Sequence, residues 1–222
     1  MKYRICYQKN DALIFISHLD LQKTFQRSFR RAGIRLAYSE GFSPHPKMTY
    51  SPPLSLFVSS AQEYLDVELH SEFCEEEIFK RLSASLPESL VLNSVHILRA
   101  DESALSELVG WGEYRIVMSI PNPAASICDD IHFFYDDNEQ IFAKKKNKKK
   151  QWIEKDIKPG IGSLRCKNNG DELELICVLS LENDNLLNPN LMIQTFIDRI
   201  PTLTDARIKS IRKIKVSTRD EK

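Results

Sequence analysis

Four groups of side chains in this sequence have the types and spacing to act on an anion. Tyr38, His45 and Lys47 share a stretch in which Pro44 and Pro46 restrict the backbone on either side of the histidine. A phenol, an imidazole and an ammonium presented together can supply proton donor, general base and charge stabiliser for attack of a ribose 2′-hydroxyl on its phosphate. The plainer role for His45 is a loop imidazole bonded to a backbone carbonyl. Lys23, Arg27, Arg30 and Arg31 recur at helical spacing, and arginine presents a rigid fork of donors matched to phosphate oxygens. Lys144, Lys145, Lys146, Lys148, Lys149 and Lys150 form a run whose self-repulsion should keep it extended or mobile until an anion arrives. Trp152 lies just beyond it; a tryptophan is expected in the core, and if exposed it can stack on a base. Arg207, Lys209, Arg212, Lys213 and Lys215 lie near the end of the chain on an alternating pattern, so several of these charges should share one face. For each basic group the alternative is an ordinary solvated surface.

Composition excludes several classes. The 222 residues, 42% of them hydrophobic, can bury a substantial core. No run reaches the roughly 18 apolar residues of a membrane span, and the first residues lack a signal-peptide pattern. A cytoplasmic protein without membrane contact is expected. Cys6, Cys74, Cys128, Cys166 and Cys177 are scattered, and their spacing suits neither a disulfide framework nor a zinc or iron–sulfur site. Five buried free thiols are expected, with no metal and no cofactor. The zero net charge hides a block structure: basic segments at 1–50, 144–169 and 207–222 alternate with acidic ones at 51–143 and 170–206. If the basic segments converge, they make an anion-binding face.

The elements that must position these residues are legible as periods. Residues 2–7 alternate as a strand. Ser17, with Asp20 three positions on, marks a helix start, and a helix should run from His18 to about Ala32. Leu21, Phe25, Phe29 and Ala32 would face the core and the cations the far side, with Gly33 ending the helix. His18, in the first turn, can bind a phosphate or serve packing, and packing is favoured. Residues 38–53 form a proline-rich connection, rigid and exposed. Strands follow at 63–69 and 91–98 with a helix at about 75–85 between them. The order is strand, helix, strand or loop, strand, helix, strand, the ferredoxin-like arrangement.

Residues 100–110 read as a short helical linker between a first module at 1–99 and a second at 111–222. The second opens with a strand at 113–120 and a proline-interrupted segment with room for a stunted helix. Residues 131–135 and 140–144 should pair as a hairpin across Asp136, Asp137 and Asn138, the acidic pairs there and at Asp129 and Asp130 only solvating turns. A strand at 173–180, a helix at 189–200 and a strand at 207–216 complete an α+β chain of two ferredoxin-like modules with antiparallel sheets.

The strings Ser17, His18, Leu19, Asp20, then Arg30 to Gly33, then Tyr38 to Lys47 with Gly41, Phe42, Pro44 and Pro46, then Ser60 to Leu69, resemble a family linked to radical-SAM enzymes. Its members occur beside, or fused to, B12-type radical-SAM proteins. Residues 150–161 resemble the same family's second-half signature. Two positions depart from it: Ser43 stands where asparagine is usual, and Phe57 where a small residue, commonly glycine, is usual. The layout of the first module is also similar to CRISPR repeat-processing endoribonucleases. The three basic segments, on a fold of a type that holds RNA, together with the family's association, lead to the expectation of an RNA-binding accessory protein that presents ribosomal or transfer RNA to a radical-SAM partner. A metal-independent endoribonuclease acting through His45, or a protein-interaction subunit of such an enzyme, are the alternatives.

Overall fold

Tyr3, Ile5 and Tyr7 are buried while Lys2, Arg4 and Gln8 are not, and this period of two makes β1 (Lys2–Lys9). The computed structural model describes residues 1–147 and 149–218, apart from the side chain of Asp11. Its contacts divide the chain into two compact units, Met1–Leu108 and Val109–Lys222.

In the first unit β1 is followed by α1 (His18–Arg31), β2 (Met48–Tyr50), β3 (Val58–Glu68), α2 (Glu75–Ser83), β4 (Leu90–Ile97) and a single-turn α3 (Leu105–Leu108). The strand order is β4-β1-β3-β2 with every neighbour antiparallel, the ferredoxin-like order. The Ser17 hydroxyl caps α1: it accepts from the Asp20 amide at 3.2 Å and donates to the Asp20 carboxylate at 2.7 Å. Removing such a cap costs about 1 kcal/mol. Leu21, Phe25 and Phe29 bury one stripe of α1 against Tyr3, Ile5, Tyr7, Leu65 and Val67 of the sheet. Gly33, at φ +70°, takes the left-handed turn after the helix. The proline-rich connection holds one more strand than its composition suggests. Met48 to Tyr50 pair with β3, at a sheet edge, where nearby prolines cost no central hydrogen bond.

The second unit runs β5 (Trp111–Ser119), α4 (Ile127–Asp137), β6 (Phe142–Lys146), β7 (Trp152–Asp156), β8 (Ile161–Asn168), β9 (Glu172–Ser180), α5 (Pro189–Arg199) and β10 (Arg207–Ser217). Its order, β10-β5-β9-β8, is again antiparallel throughout. This is the same topology with the β6–β7 hairpin inserted between the first helix and the second sheet strand.

Two expectations are overturned here. Residues 131–135 are not a strand but the second half of a full helix, because Ile127 and Ile131, four apart, are both buried, and Phe134 meets Phe196 edge-on at 5.3 Å. Pro121 and Pro123 precede this helix instead of interrupting it. The partner of β6 is therefore β7. The expectation of five free buried thiols also fails. Cys128 in the first turn of α4 and Cys166 on β8 form a disulfide, because the packing of α4 on β8 closes a sequence gap that spacing alone does not reveal. Cys74 is exposed, while Cys6 and Cys177 are buried and free. Among the described residues, no helix is long and apolar enough to cross a membrane.

Candidate nucleic-acid interface

The β6–β7 hairpin gathers the lysine run and Trp152 into one element. Antiparallel register places Lys146 opposite Trp152 and Lys144 opposite Glu154, and directly opposed residues share a face. The Lys146 ammonium stands 5.0 Å from the Trp152 ring centroid, a cation–π contact. Trp152 is 68% exposed, which corrects the expectation of a core tryptophan: the hairpin turns its other face, that of the buried Ala143, inward.

The turn is held by a side chain. Asn147 Oδ1 accepts from the amides of Lys149 and Gln151 at 2.9 and 3.0 Å, and its amide donates to the Gln151 carbonyl. These bonds offset the repulsion among Lys144, Lys146, Lys149 and Lys150, all exposed; Lys145 is half-buried, and Lys148 lies outside the described residues. At the hairpin base the Ile141 and Lys158 amides both donate to Asp156 Oδ1 at 3.0 Å, and the Lys158 ammonium donates to the Tyr135 carbonyl. Burial lowers the Lys155 pKa, with Lys145 adding to the effect.

The basic positions of β10 separate. Arg207 and Lys215 are exposed and Arg212 is half-buried. Lys209 is ion-paired with Glu172 at 2.6 Å, which holds the Glu172 carboxyl below its usual range. Lys213 is fully buried, so its charge is not offered to solvent. On α1, Lys23, Arg27 and Arg30 face solvent. The Arg31 guanidinium is tied back to Ser28 Oγ and the Ser85 carbonyl at 2.9 and 2.6 Å.

The trio from the proline-rich connection divides between two clefts of the first unit. Tyr38 bridges to Pro46, and the Ser39 and Lys47 amides donate to His45 and Ala37 carbonyls, so the segment doubles back on itself. Gly41, at φ +115°, and a fully exposed Phe42 form its tip. His45 and Lys47 line a cleft of about 820 Å³ together with Arg4, Asp66, Arg99 and Glu102. Lys47 there pairs with Glu68 at 3.1 Å, and Arg4 with Asp66 at 2.7 Å. Tyr38 instead lines a second cleft, about 460 Å³, with Arg30, Arg35 and His70.

One constellation escaped the sequence reading. Lys9 at the end of β1 and Glu63 on β3 are 2% and 3% exposed. Ser51 Oγ donates to Glu63 Oε2 at 3.0 Å, and the His18 ring lies edge-on to Tyr50 at 5.2 Å. Burial lowers the pKa values of Lys9 and His18 and raises that of Tyr7 well above the phenol range. Glu63 opposes the shift at Lys9 and His18 by favouring their cations. The only sequence signal was a glutamate at an inward position of an alternating strand; nothing in the spacing ties it to Lys9 or His18.

A family model described as an uncharacterized protein conserved in bacteria (DUF2344) matches residues 2–189. The chain belongs to this family. The DUF2344 match spans the cap of α1, the proline-rich connection and the β6–β7 hairpin. No curated protein matches the sequence. Among solved structures, 96% of the chain is similar to 48% of a chain from a Cbf5-Nop10-Gar1 complex, at 9% identity and a TM-score of 0.54. The chain thus spans about half of that protein, and the likeness is one of fold. An unknown protein from Galdieria sulphuraria and a "putative glycine cleavage system transcriptional repressor" also match over 96% of the chain, covering 98% and 97% of theirs, at 10% and 11% identity with TM-scores of 0.27 and 0.24.

Proposed function

We propose that this DUF2344 protein is a cytoplasmic RNA-binding accessory factor that presents ribosomal or transfer RNA to a radical-SAM modification enzyme. The observation that carries the RNA part is the exposed Trp152 ring flanked by the Lys146 ammonium on a lysine-rich hairpin. An unstacked base gains from an aromatic platform, and its flanking phosphates gain from cations on the same face. Double helices hide their base faces, so the chemistry favours single-stranded segments. The radical-SAM partner rests on the resemblance of the motifs at 17–20, 30–33, 38–47, 60–69 and 150–161 alone.

The test is an anisotropy titration of labelled single-stranded RNA over a range of salt. Log K should fall with log salt at a slope of about −0.7 per phosphate contact, and Trp152→Ala should weaken binding by about 1–3 kcal/mol. A salt-independent affinity, or one untouched by Trp152→Ala, rejects the hairpin as the contact.

A further inference from the structure

The second cleft of the first unit, about 460 Å³, differs in kind from the larger one. Carboxylates line the larger cleft alongside its cations, Asp66, Glu68 and Glu102 among them. The second has none: Arg30, Arg35, His70, Tyr38 and Gln26 are its polar lining. Among the described residues, no carboxylate lies within ion-pair distance of Arg30 or Arg35. Two permanent cations sharing a concave surface without a counterion repel each other, and that repulsion is relieved when an anion enters.

The floor of this cleft is built by backbone bonds. Gly33 at φ +70° turns the chain out of α1. Residues 34–37 then run antiparallel to 68–70, with Leu36 bridged to Leu69, the His70 amide donating to the Arg35 carbonyl at 3.0 Å, and the Ala37 amide donating to the Glu68 carbonyl at 2.8 Å. Arg35 and His70 are thereby fixed side by side, and Gln26 and Arg30, four apart on α1, approach from the helix. Tyr38 adds an aromatic face. The volume falls in the range of small-ligand sites, large enough for a nucleotide as well as a phosphate group.

We propose that this cleft binds the phosphate of a nucleotide, with the Arg30 and Arg35 guanidiniums on the phosphate and Tyr38 and His70 beside the sugar and base. Arg30 thus has a role apart from Lys23 and Arg27: it acts with a residue outside α1. The site does not rest on the hairpin reading, because it needs only the first unit's own residues. The phosphate can belong to a free mononucleotide or to an RNA, and the experiment separates these sources.

Adenosine 5′-monophosphate would be titrated calorimetrically into the wild-type protein, the Arg30→Gln, Arg35→Gln double variant and Trp152→Ala. Both arginines are exposed, so circular dichroism of the double variant should match wild type. The nucleotide should bind wild type and Trp152→Ala equally, and the double variant at least tenfold more weakly, since hydrogen bonds to charged groups are the strong ones. Adenosine, which lacks the phosphate, should not bind. Competition by 5′-phosphorylated but not 5′-hydroxyl RNA would assign the cleft to an RNA end, equal competition by both to an internal phosphate, and competition by neither to a free nucleotide; each supports the site. No binding of the monophosphate at millimolar concentration, or equal binding by the double variant, overturns it. Failure of the hairpin reading would leave these values unchanged.

Discussion

The two units of this chain carry the same strand order, yet they differ in where they put charge. The first leaves its sheet uninterrupted and draws ionisable groups inward: Lys9 and Glu63 are buried among Tyr7, His18, Tyr50 and Ser51. The second also buries a lysine, Lys213 on β10, in an otherwise largely apolar core, but it extends a run of cations outward on the β6–β7 hairpin, inserted between α4 and β8. The Cys128–Cys166 disulfide brackets that insertion. The difference teaches that the ferredoxin-like order fixes register but leaves its crossover connections free. A connection pinned at both ends can carry a cationic hairpin without disturbing any sheet strand.

The strongest way to break the comparison is to remove the pin. The disulfide closes a sequence separation of 38 residues, and loop entropy of that size corresponds to about 4 kcal/mol. Reduction should therefore lower amide-exchange protection in α4 and β8 by that order while leaving β1, β3 and α1 protected. Equal losses in both units, or none, would show that the bracket does not belong to the second unit's own stability.

A smaller effect, of opposite sign, is expected in the first unit. Phe57 holds φ +64°, a left-handed backbone that costs a bulky residue about 1–2 kcal/mol, and its side chain, 59% exposed, meets the edge of Phe15 at 5.8 Å. Phe57→Gly should raise the denaturation midpoint by the equivalent of about 1 kcal/mol. A loss of stability would mean that the Phe15 contact outweighs the strain. The resemblance set out in the sequence analysis expects a small residue, commonly glycine, at this position.

The smallest effect concerns protonation. Burial holds the folded His18 pKa below its unfolded value of 6.5, so the unfolded chain binds the proton more readily. Its contribution to stability is present above pH 6.5 and is lost as pH falls through the lower folded value. His18→Gln should flatten that part of the stability profile between neutral and mildly acidic pH. An unchanged slope would exclude His18 as the group responsible.

How much of this was legible in the sequence varied with the range of the cause. The cap at Ser17, the buried stripe Leu21, Phe25, Phe29 and the turn at Gly33 are local, and the helix they specify is present within a residue. The α+β class followed from periods of two and 3.6, and the ferredoxin-like arrangement from the order of the elements along the chain. Residues 131–135 misled because a short apolar-aromatic run suits either period, and only the spacing from Ile127 decides. The Cys128–Cys166 pair, the Lys9–Glu63 cluster and the cleft between Arg30, Arg35 and His70 are tertiary coincidences that no spacing encodes. Of the proposed trio, His45 and Lys47 share a cleft, whereas Tyr38 faces the arginines.

The most direct test of the outward hairpin is its salt dependence. With Lys144, Lys146, Lys149 and Lys150 replaced by glutamine, the slope of log K for single-stranded RNA against log salt should become shallower by about 0.7 for each phosphate no longer neutralised, while the mononucleotide affinity of the first unit stays unchanged. A slope identical to wild type would contradict the account, because the cations that meet RNA would then lie elsewhere.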